Sequence, residues 1–391
     1  MNIPNLRFPD FSDDWQVSKL GDVTSKIGSG STPRGGEEVY TSDGILFIRS
    51  QNVKRNILDL TDSTFIPEEV HFQMSGSEVK SNDVLLNITG ASIGRSCVVP
   101  SSVITGNVNQ HVCIVRTGRH LEPNFLQPFL ASRRGQKLIY QGQTGSGREG
   151  LNFQSIRSFK LSLPTKPEQQ KIAAFLAAVD SKIEQLSKKQ ELLGEYKKGL
   201  MQQIFSQAIR FKADDGIEFP DWEEKKLGGV GRIRKGSQLN KSELTDTGDY
   251  PAINGGINPS GYTDKWNTGK NTITISEGGN SCGYINFITS KFWSGGHCYS
   301  IEELKGDVLN RFLFQYLKFN EHLIMRLRVG SGLPNIQKGE INNFKVNLPS
   351  LEEQTKIANL LSSIDSKIEQ VGKQLRESKQ FKKALLQQMF V

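Results

Sequence analysis

The chain has little cysteine, with four in 391 residues. That is too few for the disulfide framework of a small secreted scaffold. It has no CxxC pair, the close spacing that structural zinc sites favour. It also lacks a long apolar run. The longest, Ile172 to Val179, falls far short of the ~20 residues that a membrane span needs. The first residues carry Asp10, Asp13 and Asp14 and no apolar stretch, which argues against a signal peptide. No GxxxxGKS or GxxxxGKT occurs, so a P-loop ATPase is excluded. A cytoplasmic protein with no membrane partner is the expectation left. Its charge is +8 with a pI near 9.1, a mildly basic balance that suits a polyanion such as DNA.

What the chain does have is an internal repeat. Phe159 to Phe205 and Phe344 to Phe390 align without a gap, 185 residues apart, with about half the positions identical. They share Leu-Pro at 163–164 and 348–349, Glu-Gln at 168–169 and 353–354, and Asp180–Gln185 with Asp365–Gln370. The offset reaches upstream, matching Gly145-Ser146-Gly147 with Gly330-Ser331-Gly332, Ser96-Cys97 with Ser281-Cys282, and Cys113 with Cys298. Near the start of each half, Trp15 and Lys19-Leu20-Gly21 resemble Trp222 and Lys226-Leu227-Gly228 at a different offset. The chain is therefore a tandem duplication of a globular part followed by a helix.

Thr165 and Ser350 stand three residues before Glu168 and Glu353, the pattern of a capping box at a helix start. Apolar residues then recur at alternating spacings of four and three. They are Ile172, Leu176, Val179, Ile183, Leu186, Leu193, Leu200 and Ile204 in the first copy. In the second they are Ile357, Leu361, Ile364, Ile368, Val371, Leu375, Leu385 and Met389. This is a coiled-coil seam on helices of about 40 residues, roughly 60 Å long. Each seam needs a partner, and the obvious one is the other copy. The globular parts, about 20–157 and 225–342, are rich in Gly, Ser, Asn and Thr. Short apolar runs at Gly44–Ile48, Val84–Ile88 and Thr272–Ile275 read as strands. A short helix is expected around Phe125–Leu130 and again around Phe312–Leu317. The fold class expected is α+β. The division is 1–157, first globular domain; 158–209, central helix; 210–342, linker and second globular domain; 343–391, C-terminal helix.

A search for catalytic motifs finds little. Asn258-Pro259-Ser260-Gly261-Tyr262 is superficially like the Asn-Pro-Pro-aromatic element of amino-methyltransferases. It lacks the second proline and any glycine-rich cofactor loop upstream, so it reads as a turn. Pro220-Asp221 with Glu223 and Lys225 is superficially like a nuclease core, but no strand fits between the carboxylates. Cys97, His111 and Cys113, with Cys282, His297 and Cys298, invite a metal. Free cysteines on strands are more often small buried apolar groups, so no metal is assigned. Gly28-Ser29-Gly30-Ser31-Thr32-Pro33 lacks the lysine and helix start of a phosphate cradle.

The duplicated Leu-Pro, Glu-Gln and Ile172/Ile357 elements, each heading a long helix, resemble the specificity subunit of type I restriction–modification enzymes. So do Gly28–Pro33, Thr89-Gly-Ala-Ser-Ile-Gly94 and Asn109-Gln110-His111 upstream, and in the second half Tyr250–Gly256 and Gly261–Asp264. The resemblance implies two target recognition domains, each reading half of a split, asymmetric sequence in double-stranded DNA. It implies two helices packed as an antiparallel coiled coil with pseudo-two-fold symmetry, which set the gap between half-sites. It further implies docking of two methyltransferase subunits and, through them, two motor-nuclease restriction subunits. The chain itself would be non-catalytic and carry no cofactor; S-adenosylmethionine, ATP and magnesium would serve its partners. An autonomous DNA-modifying enzyme and a coiled-coil scaffold are the alternatives. A methyl-transfer assay and a gel shift tell them apart.

Loops bearing Arg, Lys, Asn and Gln are the DNA-binding candidates, because Arg and Lys suit guanine edges and Asn and Gln suit adenine. In the first domain these are Arg34, Arg49, Gln51, Asn52, Lys54, Arg55, Arg95 and Arg148. In the second they are Lys235, Gln238, Asn240, Lys241, Asn254, Lys265, Lys270 and Asn280.

Overall fold

The computed structural model describes residues 3–144, 150–330 and 332–390. It divides into two compact units. The first is Met1–Ser187 with Lys373–Val391, and the second is Lys188–Gly372. The division therefore falls within each long helix rather than at its end. Arg148 and part of the two Gly-Ser-Gly pieces lie outside the described residues.

In the first unit a four-stranded antiparallel sheet has the order Thr24–Ser29, Val112–Thr117, Val84–Asn87, Ser96–Val98. A second sheet has the order Thr64–Ile66, Ile45–Ile48, Thr105–Val108, Glu78–Lys80, with its central pair parallel. The short strand Gln16–Lys19 pairs with Lys160–Leu163, which leads into the central helix. The strands expected at Gly44–Ile48 and Val84–Ile88 are present, and the helix Pro123–Ala131 stands where one was expected.

The second unit repeats this plan. Its main sheet has the order Arg232–Lys235, Cys298–Glu302, Thr272–Ser276, Ile285–Ile288. Glu223–Lys226 pairs with Lys345–Leu348, the counterpart of the strand pair before the helix. The Glu223–Lys225 segment is thus a strand edge. A three-stranded sheet, Gly261–Thr263, Tyr250–Ile253 and Trp293–Ser294, replaces the second sheet of the first unit. Asn258–Ser260 is the connection within its hairpin. The helix Asn310–Phe319 matches Pro123–Ala131.

The long helices span Lys166–Phe205 and Leu351–Gln388. In the first unit their segments run antiparallel. Asp180 pairs with Lys382, while Ile172 and Leu176 share a core with Leu385 and Met389. In the second unit Lys197 pairs with Asp365 at 2.7 Å, and Met201 and Ile204 share a core with Ile357 and Leu361. The two ion pairs are one pair with its members exchanged between the copies. Seam positions are buried or half-buried throughout.

The helix starts differ from a simple capping box. Ser350 Oγ accepts the Glu353 backbone N–H at 3.3 Å, but neither glutamate reaches back to its cap. Glu168 and Glu353 are buried. Arg7 Nε and Nη2 donate to Glu168 at 2.7 and 2.8 Å, and Trp15 Nε1 donates at 3.3 Å. Arg210 and Trp222 do the same to Glu353. A buried carboxylate takes the strongest donors it can reach, and here these come from a distant arm. The next residue is equally committed. Gln169 Nε2 donates to the carbonyls of Pro164 and His120, and its Oε1 accepts from Glu122 N. Gln354 makes the same three bonds with Pro349, Asp307 and Leu309. The shared Glu-Gln pair thus holds the arm and the preceding loop onto the helix start.

Candidate DNA-reading clefts

In the first unit three separate sequence pieces meet. Gly30 N donates to Asn109 O at 3.3 Å, and Thr32 Oγ1 donates to Gln110 Oε1 at 2.8 Å. Thr89 Oγ1 lies 2.5 Å from His111 Nδ1. The segment after strand Val84–Asn87 turns at Gly90 and Gly94, with φ of 71° and 84°. That left-handed backbone favours glycine. Ser50, Gln51, Thr89–Ser92, Arg95 and His111 line an open cleft of about 420 Å³.

The second unit builds the same frame. Gly279 and Gly283 have φ of 72° and 87°. Glu277 N donates to His297 O as Ile88 N donates to His111 O. Ile336 N donates to Glu277 O as Leu151 N donates to Ile88 O. His297 N donates to Asn254 Oδ1 at 3.2 Å, and Ser281 Oγ donates to Gly255 O at 2.6 Å. These bonds fix the equivalences. His111 corresponds to His297, and Ile88 to Glu277. The cysteine matches expected from the constant offset do not hold, because loops of unequal length shift the register. Cys282 lies in the turn before its strand and corresponds to Ile93.

The side chains on this frame differ. Glu277 is buried, and its Oε1 accepts from Lys235 Nζ at 2.5 Å and Tyr299 Oη at 3.0 Å. Its Oε2 lies 3.3 Å from His297 Nδ1. Burial alone would raise the Glu277 carboxyl, but Lys235, Tyr299 and His297 outweigh it and hold it below the usual range. Burial, then the bond to Glu277, raises the Tyr299 phenol.

Of the residues expected to meet DNA, Gln51 and Arg95 line the first cleft. Arg49 lies beside Tyr40, 5.9 Å from its ring centre, and 3.9 Å from Asp62. Lys54, Arg55 and Arg34 are exposed on neighbouring loops. Asn52 is a correction. It is buried, its Nδ2 donates to the carbonyls of Asp59 and Asp62, and its Oδ1 accepts from Arg49 N. It shapes the loop and presents nothing to a base. In the second unit Lys235 bonds Glu277 and Asn254 bonds His297, while Asn280 lies in the adjacent turn Gly279–Ser281. Gln238 Nε2 bonds its neighbour's carbonyl. Asn240, Lys241 and Lys270 are exposed, and Lys265 pairs with Glu243 at 2.6 Å; they lie on other loops. Glu277 and Tyr299 were not singled out from the sequence, and Thr89 and Ser92 entered it only as part of the resembling piece Thr89–Gly94, not as DNA-binding candidates. The signal available was Glu277, a carboxylate directly following an apolar strand.

Cys97, Cys113 and Cys298 are buried, their thiols pushed up to about 12, 12 and 11 by burial. Among the described residues no group of three or more His, Cys, Asp or Glu is placed to hold a metal ion. No helix of the described residues is long and apolar enough to cross a membrane.

Residues 12–193 and 220–377 match the family described as type I restriction modification DNA specificity domain. The chain belongs to this family. As a specificity subunit it carries two target recognition domains in an α+β fold. It is 25% identical over 409 residues to the putative type I restriction enzyme MjaX specificity subunit of Methanocaldococcus jannaschii, covering 98% of this chain and 95% of that one. It is 31% identical over 172 residues, 44% of this chain and 46% of the relative, to a putative type I specificity subunit of Mycoplasma pneumoniae. The fold resembles the crystal structure of the type I restriction–modification S subunit from M. genitalium. The TM-score is 0.69 at 18% identity, covering 100% and 99% of the two chains.

Proposed function

We propose that this specificity subunit selects a bipartite, asymmetric DNA sequence, one half through each recognition domain, and brings catalytic partners to it. The observation that carries the reading is the turn-and-histidine backbone frame, which recurs in both domains and carries different side chains in each. One frame suits the repeated geometry of the duplex, and different side chains suit different half-sites. The long helices then set the distance between half-sites, as dimer geometry does in other DNA readers.

The same helices are the docking surface for two methyltransferase subunits, which two restriction subunits join. Tyr196 and Phe381 are exposed at equivalent positions of the two helices and suit one kind of partner met twice; such aromatics are frequent anchors in protein interfaces. The chain itself performs no chemistry. S-adenosylmethionine, ATP and magnesium are used by its partners. Among the remaining candidates, Arg34, Lys54, Arg55, Lys241, Lys265 and Lys270 act on the phosphate backbone, where exposed cations supply affinity without sequence.

The test is to combine the chain with its modification subunits, map adenine methylation at base resolution, and measure DNA binding by gel shift. A split target with two different halves is expected. A continuous target, or binding that ignores sequence, would overturn the reading.

A further inference from the structure

Lys235, Glu277 and Tyr299 occupy the positions that Ser29, Ile88 and Cys113 hold in the first domain. Strand pairing fixes this. Lys235 faces Tyr299 as Ser29 faces Cys113, and the backbone bonds of Glu277 repeat those of Ile88. The fold therefore forms without any charge here, and an uncharged trio serves the first domain. A buried carboxylate costs several kcal/mol of desolvation, and a buried ion pair adds little net stability. The second domain nevertheless carries one, with three donors on it. The Glu277 side chain is 7% exposed, whereas those of Lys235 and His297 are 50% and 65% exposed. The arrangement is a buried anion that holds two polar heads at the surface, beside the glycine turn.

We propose that Lys235 and His297 are the base-reading heads of the second domain and that Glu277 is their positioning residue. The inference rests on the DNA-specificity reading above and deepens it. An ammonium offers only donors, and the major-groove edge with two acceptors, O6 and N7, is guanine. Lys235 therefore reads a guanine of the second half-site. Glu277 holds the His297 ring by Nδ1 and leaves Nε2 facing outward for a neighbouring base. Glu277 touches no base itself.

The experiment uses the full chain with its modification subunits and compares wild type, Glu277→Gln, Lys235→Ala and Lys270→Ala by base-resolution methylation mapping. Wild type must first give a bipartite target; if it does not, the broader reading has failed rather than this one. Glu277→Gln keeps the shape and removes the charge. It is expected to lose discrimination about 10–100-fold at one G·C pair of the second half-site, with the first half unchanged. Lys235→Ala, which alters a half-exposed side chain, is expected to relax the same pair. Lys270→Ala lowers binding evenly across sequences. The proposal is overturned if Glu277→Gln and Lys235→Ala keep full discrimination at every position, or if either relaxes both half-sites equally.

Discussion

Replacing Arg7 by alanine tests whether a buried glutamate holds the amino-terminal arm. Arg7 bonds both oxygens of Glu168 at 2.7 and 2.8 Å, and its Nη2 also donates to Asp13 O at 2.6 Å. The Glu168 side chain is 1% exposed and that of Arg7 11%. Without the guanidinium, the carboxylate keeps only the Trp15 indole at 3.3 Å. Leaving a buried charge unpaired costs about 3–5 kcal/mol. Arg7 lies near the surface, and its truncation admits water, so the lower end applies. About 3 kcal/mol corresponds to roughly a 100-fold rise in local opening. The reporter is amide hydrogen exchange at Leu6, whose N–H donates to Gln388 O at 3.0 Å. It should speed up about 100-fold, while amides of the strand Thr272–Ser276 in the second unit stay as they were. Adding Glu168→Leu removes the stranded charge and should restore most of the protection. Unchanged exchange at Leu6 in the single variant would refute the reasoning. The arm would then be held by its aromatic contacts, Phe8 on Phe175 and Trp15 on Phe125.

Exchanging residues 20–157 for the matching domain of a relative should change one half of the methylated sequence and leave the other, as read by methylation mapping. Four residues inserted after Ser187 lengthen the helix by about 6 Å and keep the seam nearly in phase. The spacer should then grow by roughly two base pairs at ~3.4 Å each, or assembly should fail; an active complex with an unchanged spacer would disprove the ruler. The isolated chain should neither methylate nor cleave DNA nor hydrolyse ATP, and adenine methylation by the pure chain would sink that expectation. Ile88→Glu alone should lower the first unit's denaturation midpoint by burying an unpaired charge. Ser29→Lys and Cys113→Tyr added to it should recover part of the loss.

The helices and the doubled plan were legible in the sequence because they rest on local periodicity and on a gap-free repeat. The strands at Ile45–Ile48, Val84–Asn87 and Thr272–Ser276 were legible for the same reason, being short apolar runs between turn residues. What failed depended on distance. The partner of Glu168 is 161 residues away, so the glutamate half of the capping box was misread, while its cap half stands at Ser350. The cysteine equivalences failed because loops between the strands differ in length, and only hydrogen-bond register restores the true matches. Asn52 looked like a base reader by residue type, yet a polar side chain on a tight loop often satisfies that loop's own backbone. Glu277 was passed over because residue type alone does not show that a carboxylate is buried among three donors.

The differences between the two domains also constrain how such a cleft changes. Glu277 is tolerable only with its partners, since an unpaired buried carboxylate would destabilise the sheet that carries it. Ser29, Ile88 and Cys113 form an uncharged set, and Lys235, Glu277 and Tyr299 a satisfied charged one. Mixed sets leave a charge short of partners, either the carboxylate without its donors or the ammonium without its anion, whereas the Tyr299 phenol also reaches the Ile336 carbonyl at 3.2 Å. Meanwhile the glycine turn, the histidine and the backbone bonds to it stay in both copies. The frame and its contents are thus separable, but the contents are coupled to one another. Altering one half-site within this fold therefore calls for replacing a group of touching residues together rather than one at a time.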